Sequence, residues 1–249
     1  MSNFCLIQQE AGLGDILFCQ NHVKFYSEKN YKVIWPIVPP LLNICNQLIT
    51  DAKFYNAEED YPLKSFFRES YMQGKIIENN SNIFIPMKYA SYIIPPYIPG
   101  KKEMQSKHIL CGLDYTVWKT NLNFHRNLEK ENILYYDILK LKDNEDFILI
   151  NQTYSTQPTT IKKDLSPFKY RFGDSKFIEM SILEGFTIFD WCKVFENMKS
   201  IITVDTSLMY IIEKLDLKNK TDFLCITRSL NTEEDIKELF TYPWTYIHA

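Results

Sequence analysis

The sequence predicts an α/β protein in two halves, and three observations carry that expectation. Short apolar runs of strand type alternate with stretches of helical periodicity along most of the chain, the pattern of parallel strands joined by crossover helices. The polar run Lys142-Asp143-Asn144-Glu145-Asp146 interrupts the series, and a second series opens directly after it at Phe147-Ile148-Leu149-Ile150. Each half also contains a strand that runs through a small polar turn into a helix, Gly12-Leu13-Gly14-Asp15 in the first and Asp205-Thr206-Ser207 in the second. Two Rossmann-like domains facing a cleft, residues 1–143 and 144–249, are the expected architecture.

The elements follow in order. Phe4-Cys5-Leu6-Ile7 reads as a buried strand, the glycine turn follows, and Ile16 to Tyr26 carries apolar residues at helical spacing. Tyr31 to Trp35 reads as the next strand; Pro36, Pro39 and Pro40 then break the chain ahead of a helix from Leu41 to Ile49. Short strands are expected near 53–55 and 83–85, with a Pro-rich stretch from Pro86 to Pro99. Helical periodicity returns over 108–122 and over 128–141, where Ile133, Leu134, Ile138, Leu139 and Leu141 are expected to share a face. The second half reads as strand 147–152, a polar loop to Gly173, strand 176–182, helix 188–198, strand 200–204, helix 207–215, strand 222–227 and helix 232–240.

Composition narrows the function classes. Of the 249 residues 45% are hydrophobic and 24% charged, enough apolar surface for a packed core and no case for disorder. A net charge of -3 gives no field for a polyanion, so nucleic acid is not expected as a partner. The start Met1-Ser2-Asn3-Phe4 lacks the basic residues and long apolar core of a secretory signal, and no run approaches the roughly 20 apolar residues of a membrane span, so a soluble cytoplasmic protein is expected. The six cysteines are scattered, form no CxxC and lie mostly in apolar stretches, where free thiols pack as small hydrophobes.

Two turns carry the candidate chemistry. At Gly12-Leu13-Gly14-Asp15, glycines between strand and helix let backbone approach a ligand, and the helix start favours an anionic or polyol group. The third glycine of a dinucleotide fingerprint would fall at Leu17, and no GK[ST] follows, so neither a dinucleotide motif nor a P-loop is present. The alternative is that Asp15 only caps the helix. Asp205-Thr206-Ser207 ends a buried strand at its carboxyl edge, where α/β sheets bind ligands, and there too Asp205 or Thr206 would serve equally as a cap. Cations for a phosphate are Lys162, Lys163, Arg171 and Arg228, and the loop from Asn151 through Thr153 and Tyr154 to Ser155 offers donors. No Asp-x-Asp pair occurs and the four histidines show no ligand spacing, so no metal and no cofactor are expected. The aromatics Tyr89, Tyr92, Tyr97 and Trp118 read as packing before they read as sugar platforms.

The opening turn, taken with Thr187 to Cys192 and Ile201 to Tyr210, resembles the heptosyltransferase-like GT-B glycosyltransferases of family 9. The resemblance covers the two ends of the chain, about a third of its length. It implies that Asp15 is a general base that activates an acceptor hydroxyl for direct, inverting displacement. It also implies that Thr206 and Ser207 hold the diphosphate of a nucleotide-sugar donor; with them Gly12, Gly14, Thr153, Tyr154, Lys162, Asp205, Tyr210 and Arg228 are the expected donor-binding residues. Tyr210 stands where that family often has His, Ser207 where it often has Gly, and the chain is shorter than usual for such enzymes. The implied partners are a nucleotide-sugar co-substrate and a glycan, lipid or protein acceptor; the alternative is a non-catalytic sugar- or nucleotide-binding protein with the same shell.

Overall fold

A computed structural model of the chain describes residues 3–65, 75–79, 81–90, 103–156, 159–162, 164, 172–173, 175–217, 222–228 and 232–248. By its contacts the chain divides into Met1–Phe124 and His125–Ala249. The division falls ahead of the polar run from which a boundary at 143/144 was expected. That run is a turn inside the second unit, where Lys176 pairs with Glu145 at 2.7 Å and Lys199 with Asp146 at 2.8 Å.

The first unit is a five-stranded sheet of β1 (Asn3–Ile7), β2 (Tyr31–Ile37), β3 (Ala52–Asn56), β4 (Ile77–Asn79) and β5 (Asn82–Ile85) in the order β3-β2-β1-β5-β4. All pairs are parallel except β4 with β5. Its helices are α1 (Leu13–Phe18), α2 (Gln20–Glu28), α3 (Pro39–Cys45) and α4 (Glu103–Leu110). Leu6, Ile34 and Phe84 bury one face of β1, β2 and β5, with Tyr61 closing over them. Pro36 does not end β2 as its residue type suggests. The pairing to β1 stops at Leu6↔Ile34, so on that side no ladder remains for the proline to interrupt. The helix expected over 16–26 breaks at Cys19 into α1 and α2, and the one expected over 108–122 is α4 followed by a separate 3-10 turn, Tyr115–Thr120.

The second unit begins with α5 (Leu128–Asn132), which runs into a π-helical turn over Ile133–Ile138 marked by Leu139 N–H donating to Leu134 O at 2.9 Å. The wider turn changes the phase, so Leu134 and Leu141 are buried while Ile133 and Ile138 are exposed, and the single apolar face expected for this segment does not form. Its sheet consists of β6 (Phe147–Asn151), β9 (Lys176–Glu179), β10 (Ser200–Val204), β11 (Asp222–Thr227) and β12 (Trp244–His248), all parallel, in the order β12-β11-β10-β6-β9. Between β6 and β9 lies a hairpin, β7 (Thr153–Thr156) with β8 (Thr159–Lys162), in part of the stretch expected to be loop. The helices are α6 (Cys192–Asn197), α7 (Leu208–Lys214) and α8 (Thr232–Ile236).

Alternate residues Ile148, Ile150, Ile202, Val204, Leu224 and Ile226 pack one face of β6, β10 and β11, and the residues between them are buried as well, as expected of a parallel sheet covered on both sides. Each such side chain contributes about 1.5–3 kcal/mol on removal from water. β12 escaped the sequence reading because Trp244 to His248 mixes polar and apolar residues, as an edge strand does. The cysteines are all free, five buried and Cys111 half-buried. Among the described residues no helix is long and apolar enough to cross a membrane.

Candidate functional site

Sheet order places both candidate turns. In the first unit the chain winds outward from β1 to β3 and then returns to the other side of β1, so the switch in direction lies between β1 and β5. In the second it lies between β6 and β10. Open α/β sheets bind ligands outside the strand carboxyl ends at such switch points. The Gly12–Asp15 turn follows β1, and Asn151 and Asp205 end β6 and β10, so each falls at the switch point of its own sheet.

The first turn is built around one carboxylate. Gly12 has φ +81, a left-handed conformation that side chains disfavour, and a methyl group on it would overlap Asp15 Oδ2. The backbone therefore favours glycine here, and a side chain at this position would push the Asp15 carboxylate aside. Asp15 lies in the first turn of α1, where the helix start favours negative charge. It does not cap α1: the N-cap is Gly12, and Asp15 Oδ1 pairs with Lys107 Nζ at 2.8 Å. Among the described residues Oδ2 has no hydrogen-bond partner, and the side chain is 26% exposed against 1% for Lys107. Gly14 lies within α1.

Lys107, from α4, is the residue that the sequence did not reveal. Its ammonium also donates to Gln9 Oε1 at 2.7 Å, and Gln9 accepts at its backbone oxygen from Trp35 Nε1 at 2.9 Å. Burial by itself would lower the lysine pKa, but Asp15, with Cys19 and Glu103, raises it above the ordinary value, so the buried group stays charged. A lysine in an otherwise ordinary helical stretch carries no local sign of burial. The only signal was that a carboxylate in a glycine turn needs a partner, and that partner lies far along the chain.

In the second unit Asp205 is buried and bridges two strand ends. Its Oδ1 accepts from Arg228 N at 3.0 Å and its Oδ2 from Arg228 Nε at 2.8 Å. Burial raises the Asp205 carboxyl above the usual range, opposed by Arg228. Asp205 therefore sets Arg228 at the carboxyl edge and does not cap α7. The N-cap is Ser207, without a side-chain cap bond; Thr206 Oγ1 accepts from Leu208 N at 3.4 Å and from Asn151 Nδ2 at 3.3 Å. Asn151 Nδ2 also donates to Thr203 Oγ1 at 2.9 Å, which ties β6 to β10 across the switch point.

Thr153 and Lys162 are paired across the β7–β8 hairpin, with Tyr154 opposite Ile161, so three residues picked from an apparent loop belong to one ribbon. Tyr210 points inward, 7% exposed, edge-on to Phe240 with ring centroids 5.1 Å apart. Trp118 is buried against Phe18, as packing predicts. Lys163, Arg171, Tyr92 and Tyr97 lie outside the described residues, as does the side chain of Tyr89. Arg126, beside His125, bonds to the buried Glu131 and to Glu196, so it is a structural ion pair of the second unit. Among the described residues no group of three or more His, Cys, Asp or Glu is placed to hold a metal.

Comparison with known proteins was informative only at the level of structure. No protein-family model matches the chain, and no curated protein matches its sequence. A glycosyl transferase of family 9 from Veillonella parvula aligns over 99% of this chain and 87% of its own, with TM-score 0.57 and 11% identity. The iron-containing dodecameric glycosyltransferase TibC from enterotoxigenic E. coli aligns over 99% and 62%, with TM-score 0.49 and 8% identity. The E. coli heptosyltransferase WaaC with ADP aligns over 98% and 93%, with TM-score 0.42 and 11% identity. At those scores the last two add nothing, whereas the first, taken with the two parallel-stranded sheets, shows that the chain has an α/β, GT-B-like fold similar to that of the family 9 glycosyl transferase.

Proposed function

We propose that the protein is a metal-independent, inverting glycosyltransferase that moves a sugar from a nucleotide-sugar donor to a hydroxyl group of a glycan, lipid or protein. The observation that carries this reading is the Asp15 carboxylate at the switch point of its sheet, with one oxygen anchored on Lys107 and the other without a hydrogen-bond partner among the described residues. A carboxylate so held is oriented to take the proton of an acceptor hydroxyl as that oxygen attacks the anomeric carbon. The bond from sugar to phosphate breaks as the new one forms, and the nucleoside diphosphate leaves with the electron pair.

The leaving charge falls to the second unit. Arg228, fixed by Asp205, Lys162, and the hydroxyls and backbone N–H groups of Thr153, Tyr154, Thr206 and Ser207 would neutralise it without a metal. Fold by itself does not assign function; the placement of named residues at two switch points supports the assignment.

Asp15→Ala is the decisive variant. Incubated with a panel of UDP-, GDP-, ADP- and TDP-sugars, the wild type is expected to release nucleotide and the variant to release none, while both keep the thermal shift given by the matching nucleoside diphosphate. Undiminished turnover in the variant removes Asp15 from the reaction. Nucleotide binding without turnover in the wild type leaves a binding protein with the same shell.

A further inference from the structure

Asp15 and Lys107 come from elements far apart in sequence, yet their charged atoms meet at 2.8 Å. A single imidazole ties the two backbones together. His22, in the first turns of α2, is completely buried; its Nδ1 lies 3.1 Å from Cys19 O and its Nε2 3.0 Å from Lys107 O. Cys19 is the joint between α1 and α2, and its N–H donates to Asp15 O at 3.0 Å. The ring thus spans from the segment that carries Asp15 to the segment that carries Lys107. His108 and Phe18 hold it in place: the two imidazoles meet edge-to-face at 4.4 Å, and Phe18 meets His108 at the same distance. The neutral ring carries one N–H; as the Nε2–H tautomer it donates to Lys107 O, which satisfies the buried donor and links α2 to α4, while Nδ1 faces Cys19 O without a proton to share.

We propose that His22 is a positioning residue for the Asp15 carboxylate, acting through the Lys107 backbone. The proposal rests on reading Asp15 as the base, but it makes a structural claim of its own: without the bridge, α4 is free to slide and the Lys107 ammonium leaves Oδ1. The bond to Lys107 O is the one that matters, so a side chain that places a donor at Nε2 should replace histidine and one that reaches only Nδ1 should not. Glutamine has that reach; asparagine does not.

The test uses the full-length chain with His22→Gln, His22→Asn and His22→Leu. Amine acetylation of Lys107 in the folded protein, followed by mass spectrometry, reports its burial independently of activity. Lys107 is expected to be protected in the wild type and in His22→Gln, and to react at least about tenfold faster in His22→Asn and His22→Leu. With a nucleotide sugar that the wild type turns over, kcat should fall at least about tenfold in the same two variants, as small misplacements do, while KM for the donor changes less than twofold. Equal labelling of Lys107 in His22→Gln and His22→Asn overturns the proposal, even where His22→Leu fails to fold. Should the wild type turn nothing over, the reading of Asp15 fails, and the labelling series still decides whether His22 positions Lys107.

Discussion

The buried histidine pair makes the stability of the first unit depend on acid in a way that can be worked out. Burial pushes His22 down to about 4, with the Lys107 ammonium adding to it and the two carbonyl bonds opposing it. Burial, and His22 beside it, push His108 down to about 2. An unfolded histidine titrates near 6.5. Between that value and 4 the unfolded chain binds protons that the native chain refuses. Both groups are depressed, so the stability they allow is complete above pH 6.5 and is lost as pH falls. At pH 5 each contributes a loss of about 1.5 pH units at 1.36 kcal/mol per unit, or about 2 kcal/mol, and the pair roughly 4 kcal/mol. Against a total stability of about 5–15 kcal/mol this is large, and it corresponds to a drop in Tm on the order of 10 °C. Thermal melts of the wild type and of His108→Phe between pH 7.5 and 5 separate this effect from carboxylate protonation, because only the wild type carries both buried imidazoles. The wild type should lose stability more steeply by about 2 kcal/mol at pH 5. Parallel curves for the two proteins would refute the reasoning.

Other consequences follow from the same contacts. Gly12→Ala puts a methyl where Asp15 Oδ2 sits and forces a side chain to φ +81, so it should destabilise by about 1–2 kcal/mol in urea melts and lower turnover nearly as far as Asp15→Ala; wild-type rates would show that the carboxylate need not stay in place. Arg126→Ala leaves Glu131, 1% exposed, without its cation. The loss should be on the order of 2 kcal/mol, below the ~3–5 kcal/mol of a fully buried pair because the guanidinium is partly solvated, and Glu131→Gln in the same background should recover part of it in denaturant melts.

Much of the frame was legible in the sequence. β10 and β11 match the expected spans because Phe223 to Ile226 is apolar and Ile201-Ile202-Thr203-Val204 is β-branched throughout and apolar but for Thr203, and such runs are covered on both faces. The glycine turn was legible for a related reason, since two glycines between a strand and a helix have few other uses. Boundaries set by tertiary pairing were not. Pro36 continues β2 because β1 has already ended beside it, and the segment around Ile133 to Ile138 widens into a π turn that no periodicity indicates.

The candidate site divides in the same way. Sequence by itself determined which residues stand at the strand carboxyl ends: Asp15 after β1, Thr153 after β6, Asp205, Thr206 and Ser207 after β10, Arg228 after β11. These are local properties of strand-turn-helix order. Only the tertiary structure decided what each side chain does there, because that depends on partners distant in sequence. Asp15 and Asp205, each readable as a helix cap, hold Lys107 and Arg228 instead; Tyr210 is turned into the core against Phe240, and His22, unremarkable in its helix, joins the two segments that bear the ion pair. Burial turns a surface charge into a held one, and burial is fixed by packing.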